Sequence, residues 1–522
     1  KIRSVIRAMK GYVLHFLSLI GLVYFRKSDR RARTWLLIAL YAIAGPPALW
    51  LAHFRDPITD QEYLRQRAKK QKALRDSGKK YEGPDFCVIG AGFSGLGVMG
   101  ALKRAGIPFL CFEAADSVGG NWAHGVYENV NIISSRLTTE YKDFPMPKYY
   151  PDFPSAQQMC KYLNMYADHF NLRDHIQFNS SVALVEPLNG KDQKWKVTMK
   201  NGATRVFGGV IIANGHHWNK RWGGPYKNEG KFEGEQMHSK EYKVPAQLAG
   251  KRVLVIGCGN SACDVAVEGG RYAKSSDVSV RNGTYYFPRI LLGRPTIEIV
   301  RPWMPLWFQR IWIRIALRLF LGRYEEYGLE PPKHRVWDRH PTINSDLLNY
   351  IRLGKITPHR DIKEFLGGKR VEFLGGETCE YDLIIHATGY NVSVPLVQEG
   401  VIRWDKIKNH RHTDGRTYPD LIAGAAARHK NLFVNGIGQP RYGAGPLITL
   451  GAEALAALIE IQTKLKYPVG AVLAKIGAKP MRDYLVDPHQ AFTDGVGGLS
   501  MIKYLPLVES WFMSSPPPGY VE

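Results

Sequence analysis

Gly90, Gly92 and Gly95 follow an apolar run, Phe86-Cys-Val-Ile89, and lead into a stretch of helical character from Leu96 to Arg104. A second apolar run, Phe109-Leu-Cys-Phe112, ends at Glu113, 23 residues after Gly90. Those residue types at that spacing suit the binding of a dinucleotide through its pyrophosphate. Gly90 makes the tight turn, Gly92 lets the backbone approach the phosphates, and Gly95 lets helix and strand pack closely. The helix N-terminus adds the positive end of its dipole, and Glu113 is placed to accept from a ribose hydroxyl. The pattern recurs. Arg252-Val-Leu-Val-Ile256 runs into Gly257-Cys-Gly259-Asn260-Ser261-Ala262, and the next apolar run, Val278-Ser-Val280, is followed by Arg281 and not by an acid. An arginine there suits the additional 2′-phosphate of NADPH and disfavours NADH. The alternative is a solvated surface arginine.

Two such units must be carried by α/β elements. Apolar runs that end in glycine turns, at 209–213, 382–386 and 431–434, read as buried strands returning toward a ligand. The expected fold is therefore α/β, with two Rossmann-like domains, an FAD-type domain interrupted by an NADPH-binding one, plus N-terminal apolar membrane-associated helices. The expected organisation is anchoring helices at 1–58 and a charged linker at 59–83. The first nucleotide domain follows in two parts, 84–225 and 336–465, around a second at 226–335 that carries an insert at 289–335. A C-terminal extension covers 466–522, with Ser514–Gly519 extended or disordered.

The chain has 522 residues, 45% hydrophobic and 23% charged, an ordinary globular composition that excludes collagen-like and low-complexity scaffolds. Cys87, Cys111, Cys160, Cys258, Cys263 and Cys379 form no CxxC pair. Disulfide frameworks, zinc knuckles and disulfide-reductase chemistry are excluded on that ground, no metal is expected, and a reducing compartment is. Cys258 and Cys263, which flank the second turn, read as small packing residues.

The net charge of +24 is concentrated. Residues 1–80 hold 18 basic and 5 acidic residues, and residues 289–323 hold seven arginines and one glutamate. Both windows are interleaved with apolar and aromatic residues, which points to a membrane surface and not to nucleic acid. Tyr12–Phe25 is short of a full span, and Gly45-Pro46-Pro47 interrupts the longer run at 35–54. A helical hairpin, a single span and a monotopic wedge all remain open. A cleaved signal peptide is disfavoured because Tyr24-Phe25-Arg26 offers no small-residue cleavage site. The chain opens on Lys1 and not Met, which leaves room for residues upstream. In the insert, Arg310, Arg314 and Arg318 recur at every fourth position of an otherwise apolar helix that should stop at Gly322. A membrane-facing helix and a buried helix whose arginines meet acids are the two readings.

Between the two glycine turns stands Phe232-Glu-Gly234-Glu-Gln-Met-His238-Ser-Lys-Glu-Tyr242. This matches the FxGxxxHxxxY fingerprint of the flavin-containing monooxygenases, and the chain resembles that family over residues 84–465. The related Baeyer–Villiger group ends the fingerprint in Trp. Gly119-Gly120-Asn-Trp122, Gly257–Ser261, His340-Pro-Thr-Ile-Asn-Ser-Asp346, Ala387-Thr388-Gly389-Tyr390 and Gly436–Pro440 fit the family in order. The resemblance implies that NADPH reduces FAD and that dioxygen adds at flavin C4a. The hydroperoxide then passes one oxygen to a nucleophilic nitrogen, sulfur or selenium. It implies FAD contacts at Gly90, Gly92, Gly95, Glu113, Gly120, Trp122, Ser134, Val182 and Gln439. NADP contacts are implied at Gly257, Gly259, Asn260, Ser261, Arg281, Thr388 and Gly389. His238, with the rest of its motif, is expected to brace the domain connection near the nicotinamide, in a structural or a chemical role.

One departure bears on catalysis. Where the family has an active-site Asn, this chain has Ile133, with Asn131 two residues earlier. Without an amide there, the flavin intermediate is expected to be shorter-lived or its oxygen-transfer chemistry altered. The expectation is a membrane-associated, FAD- and NADPH-dependent monooxygenase acting with dioxygen on a lipophilic small molecule. Its catalytic part would lie in a reducing compartment, on the cytoplasmic face and, in a eukaryote, on the endoplasmic reticulum. Membrane lipids are the expected partners, nucleic acid is not, and a homo-oligomer is compatible. The alternatives are an NADPH oxidase that releases hydrogen peroxide, a Baeyer–Villiger enzyme acting on ketones, and an idle membrane-bound flavoprotein acting as a binding module.

Overall fold

The computed structural model describes residues 81–188, 193–299, 306–406, 417–486, 491, 498–499, 501–517 and 520. The anchoring helices expected over 1–58, nearly all of the linker, and Trp303 of the insert lie outside the described residues.

Strand β1 (Phe86–Ile89) is buried along its whole length and runs through the first glycine turn into helix α1 (Phe93–Ala105). Gly106, at φ 71°, ends the helix in the left-handed conformation that glycine adopts without steric cost. Strand β2 (Phe109–Phe112) returns parallel to β1. Strand β3 (Ile176–Gln177) then joins the outside of β2, and β4 (Gly209–Ile212) joins the other side of β1. β1 and β4 are apolar at nearly every position because helices or loops cover both faces of the sheet.

The chain next builds a second sheet. Its elements are β5 (Glu235–His238), β6 (Arg252–Ile256), α2 (Asn260–Tyr272), β7 (Ser275–Ser279), α3 (Leu306–Leu321), β8 (Thr357–His359) and β9 (Leu383–His386). The strands are all parallel, in the order β8-β7-β6-β9-β5. The chain then re-enters the first sheet through β10 (Leu421–Ile422), β11 (Ala425–Ala426) and β12 (Leu432–Val434), giving the order β10-β11-β12-β4-β1-β2-β3. One dinucleotide fold thus interrupts another.

The boundary expected at 335/336 requires correction. Residues 357–386 pair within the second sheet, β9 lying directly beside β6, so this segment does not belong to the returning half of the first domain. A buried apolar strand ending in a glycine turn reads the same whichever sheet it joins, and only its hydrogen-bond partners tell the two apart.

Helix α4 (Ala444–Gln462) is long and apolar enough to cross a membrane, but it is a core helix. It packs on α1 and buries Ala452, Leu455, Leu458 and Ile459 in the core of the first domain. Truncating Leu455 to Ala there would cost about 2–5 kcal/mol. The C-terminal extension folds back onto the same domain. Leu485–Val486 pairs with Gln439–Pro440, and Val469, Val472 and Leu505 enter the same core.

Candidate active site

The two glycine turns leave the ends of the central strands β1 and β6, and they are built alike. Gly90 has φ 104° and Gly257 φ 134°. A Cβ on Gly90 would lie 2.7 Å from the carbonyl oxygen of Ala213, just after β4, and one on Gly257 would lie 2.5 Å from that of Ala387, just after β9. Only glycine meets both the backbone angle and the close approach. Neither α1 nor α2 has a side-chain N-cap, so the amides of both first turns are left for an anion. Around Gly259 nothing lies within 4 Å of a built Cβ, which leaves open space where a pyrophosphate must approach.

Both turns open onto one cavity of about 2260 Å³, lined by Gly90, Gly92, Gly257 and Gly259 together. Pockets for one drug-sized ligand are roughly 300–1,000 Å³, so this one has room for two dinucleotides and a substrate. Glu113, Gly120, Trp122, Ser134, Val182 and Gln439 border it from the first domain, and Asn260, Ser261, Arg281, Thr388 and Gly389 from the second. Gly95 does not. Its Cβ would sit 1.9 Å from the carbonyl oxygen of Gly90, the close approach of helix to turn that the sequence leads one to expect of this glycine.

The carboxylate of Glu113 accepts from the amides of Ala91 (2.6 Å) and Ala115 (2.9 Å), so β2's final residue is fixed across the first turn. The Asn260 side chain accepts from the Ile343 amide (2.7 Å) and donates to the Pro341 carbonyl (3.2 Å), tying the 340–346 segment to the second turn. Asn214 Oδ1 and His216 Nε2 are buried at the cavity with no hydrogen-bond partner among the described residues. His216 Nδ1 lies 3.0 Å from the Gly436 carbonyl, which places the ring proton on Nδ1 and leaves Nε2 an acceptor. Burial lowers the pKa of His216, and lowers that of His217 further, helped by His216 and His340 nearby, so both rings are neutral. Two open anion-binding turns and these orphaned acceptors fit bound dinucleotides. Sequence reasoning missed Asn214, His216 and His217, although Asn214-Gly215 directly after β4 marked the place.

A family model described as flavin-binding monooxygenase-like matches residues 84–413. The chain belongs to the flavin-containing monooxygenase family. It is 32% identical over 394 residues to flavin-containing monooxygenase 5 of Oryctolagus cuniculus, covering 71% of this chain and 72% of that one. To the Homo sapiens protein of that name it is 32% identical over 339 residues, covering 60% of this chain and 63% of that one. Among solved structures, the OTEMO complex with FAD and NADP shares the fold at TM-score 0.58 and 19% identity, covering 74% of this chain and 85% of that one. Membership makes the protein a flavin-dependent monooxygenase with FAD and NADPH as cofactors.

Within this flavin-containing monooxygenase, Ser239 and Lys240 of the family fingerprint border the cavity, whereas its defining residues Phe232, Gly234, His238 and Tyr242 do not. Phe232 packs edge-on against Phe365, and a Cβ on Gly234 would meet the Phe232 ring at 2.5 Å. His238 is fully buried. Its Nδ1 accepts from the Lys240 amide (3.2 Å) and its Nε2 donates to the Gly389 carbonyl (3.0 Å). With both ring nitrogens occupied by backbone, and burial lowering its pKa, His238 positions the 387–390 turn. This geometry favours the structural one of its two expected roles. Tyr242 is likewise buried, its hydroxyl donating to Glu268 on α2.

Ile133 and Asn131 both border the cavity. The Asn131 amide donates to the Phe153 carbonyl (2.9 Å) and holds its own loop. Ile133 packs against an apolar cluster that includes Phe287, Ile297, Ile343 and Tyr442, together with Ile313 and Leu317 of α3. Outside the cavity, Asp277, His359 and Cys379 each bring one ligand atom within 4.8 Å of the others. The Asp277 carboxylate already accepts from the Tyr381 hydroxyl (2.6 Å) and meets His359 Nε2 at 3.1 Å, a hydrogen-bonded tie between strands.

Proposed function

We propose that this flavoprotein uses NADPH and dioxygen to place one oxygen atom on a lipophilic nitrogen- or sulfur-containing small molecule. The observation that carries this reading is the single cavity shared by both glycine turns, since hydride transfer between two dinucleotides requires a common space. In it, Gly90, Gly92, Glu113, Gly120, Trp122, Ser134, Val182 and Gln439 hold FAD. Gly257, Gly259, Asn260, Ser261, Arg281, Thr388 and Gly389 hold NADPH, with Arg281 on the 2′-phosphate. The chemistry the flavin supplies when bound is two-electron reduction by NADPH and activation of dioxygen, one oxygen going to substrate and the other to water.

The chain's own residues orient and dry this space. His216 and His217 are neutral and add no competing cation beside the flavin turn, and Asn214 and His216 offer acceptors to a bound dinucleotide. Ile133, Ile297, Ile343 and Tyr442 give the cavity an apolar wall, which supports a lipophilic substrate and keeps water out. The six free cysteines support a reducing compartment. The apolar runs near the N-terminus support membrane association, with the catalytic part on the cytoplasmic face and, in a eukaryote, on the endoplasmic reticulum.

Ile133 favours a second reading, an NADPH oxidase. No amide stands at this position, and that of Asn131 is committed to Phe153. Incubating the detergent-purified, flavin-loaded protein with NADPH, ¹⁸O-labelled dioxygen and a panel of lipophilic amines, thioethers and ketones separates the readings. A labelled N- or S-oxide supports the monooxygenase proposed here. Stoichiometric hydrogen peroxide with no labelled product supports the oxidase, and labelled esters would indicate Baeyer–Villiger chemistry.

A further inference from the structure

Three side chains with metal-binding atoms converge at the edge of the second sheet, outside the cavity. Asp277 stands on β7, and His359 ends β8, the edge strand paired with it. His359 lies opposite Ser279, two residues along from Asp277, so both side chains rise from one face of the sheet. Cys379, half-buried, comes from Thr378–Glu380, which pairs with Arg370–Phe373 in a separate antiparallel sheet. One ligand atom of each lies within 4.8 Å of the other two, and His359 Nε2 is 3.1 Å from the Asp277 carboxylate. Tetrahedral zinc with nitrogen, oxygen and sulfur ligands needs separations of about 3.3–3.6 Å, so a side-chain adjustment of about 1 Å completes the set. Two of the ligands are already held in place. The His359 ring stacks flat on the fully buried Phe373 ring, with centroids 4.2 Å apart and planes 6° from parallel. The buried Tyr381 hydroxyl donates to the Asp277 carboxylate at 2.6 Å, the outer bond that orients a ligating carboxylate. Asp277, Tyr381 and His359 make a tie between strands without help from Cys379, since a thiol is only a weak hydrogen-bonding group. The sulfur is what turns the tie into a ligand set.

We infer that Asp277, His359 and Cys379 form a binding site for a zinc ion, with water in the fourth position. Thiolate, imidazole and carboxylate together are a zinc donor set, whereas magnesium and calcium take oxygen ligands. On binding, the Cys379 thiol releases its proton to solvent, and the imidazole keeps its single proton on Nδ1 so that Nε2 is free to ligate. Two anionic ligands then balance the charge of the ion, and no net charge is left in a mostly buried place. The ion would join β7 and β8 to the antiparallel sheet that carries Cys379. Asp277 precedes Arg281 by four residues on the same segment, so the brace supports the half of the protein that holds the second glycine turn. Because the three ligands lie off the cavity, the site acts on stability and takes no part in oxygen transfer. It stands independently of the function proposed above.

The test uses the full-length, flavin-loaded protein without an affinity tag, stripped of metal by dialysis against a chelator. Cobalt(II), a spectroscopic substitute for zinc, is titrated in and read as a difference spectrum against the flavin. A thiolate-to-cobalt charge-transfer band should grow to a single equivalent and disappear when zinc is added. Cys379→Ser should lose the band, while Cys160→Ser, which changes another half-buried thiol, should keep it. Tyr381→Phe leaves all three ligands and removes only the outer hydrogen bond, so zinc affinity measured by competition should fall about 10- to 100-fold. Zinc should also raise Tm in the parent protein and not in Cys379→Ser. Flavin absorbance in each sample shows that the variant has folded. No band at saturating cobalt, or a band that survives Cys379→Ser, would overturn the inference, as would equal zinc affinity in the parent protein and Cys379→Ser.

Discussion

The Tyr242 hydroxyl donates to the buried carboxylate of Glu268, which joins the last residue of the family fingerprint to the helix that follows the second glycine turn. Asn129, from the first domain, donates to the other oxygen of that carboxylate at 2.8 Å. One turn earlier on α2, Asp264 accepts from Tyr127 (2.8 Å) and Asn344 (2.9 Å). Two carboxylates one helical turn apart therefore clamp the first domain and the fingerprint to α2. Removing the donor in Tyr242→Phe leaves Glu268 short of a partner in a dry site, and thermal or denaturant unfolding should show a loss of about 1–3 kcal/mol.

The two glycines of the second turn should respond in opposite ways. Gly257→Ala forces a Cβ to 2.5 Å from the Ala387 carbonyl at a φ that side chains avoid, and it should lower Tm markedly or abolish folding. Gly259→Ala meets no protein atom, so the protein should fold with its flavin and lose only NADPH affinity, KM rising about tenfold. Equal effects of the two variants on Tm would contradict this division.

Arg281 is exposed at the edge of the cavity, free to reach a phosphate. Replacing it with Ala should raise KM for NADPH by about 10- to 100-fold, the range for one charge-assisted hydrogen bond. The KM for NADH should change little. A comparable loss with both nucleotides in steady-state assays would assign Arg281 a general electrostatic role.

Ile133→Asn returns an amide to the cavity wall at the expense of apolar contact with the cluster under α3. The expected outcome is less hydrogen peroxide released per NADPH consumed, together with a stability loss of about 1–3 kcal/mol for burying an amide there. If peroxide yield is unchanged while the variant remains folded, position 133 does not control coupling.

His340, His386 and His429 are each pulled down to about 4 by burial, foremost among the causes. An unfolded histidine binds its proton near pH 6.5, so between about pH 6.5 and about pH 4 the unfolded chain holds protons that the native fold refuses. The stability these rings contribute is complete above that window and is lost as the pH falls through it. Tm measured downward from about pH 7 should decline through the window, and His386→Gln should remove about one proton from the slope. A Tm independent of pH there would show that the rings protonate in place.

Much of this architecture is legible in residue order because its signals are local. A glycine turn must follow a buried strand and precede a helix within a few residues, so Gly90 to Gly95, Glu113 and Gly257 to Ser261 announce two dinucleotide folds without reference to any distant part of the chain. The insert's helix and its stop at Gly322, where φ is 76°, are equally local. Partner choice was not legible. The run at 383–386 has the composition of a strand of either sheet, and its place beside β6 depends on hydrogen bonds to residues more than a hundred positions away. The same holds for His238, whose conspicuous place in a motif suggested chemistry until both its nitrogens were found on backbone atoms. It also holds for Asn131, whose amide turns out to hold the Phe153 carbonyl.

Residue order alone thus established the fold class, the two glycine turns and the family, because each rests on short-range backbone geometry that particular residue types impose. Tertiary structure alone decided that both turns open onto one cavity and that both ring nitrogens of His238 are taken by backbone atoms. It also decided that α3 turns one apolar face to Ile133 and the other outward. Those outcomes depend on long-range packing, in which a side chain's neighbours come from segments that sequence proximity does not reveal.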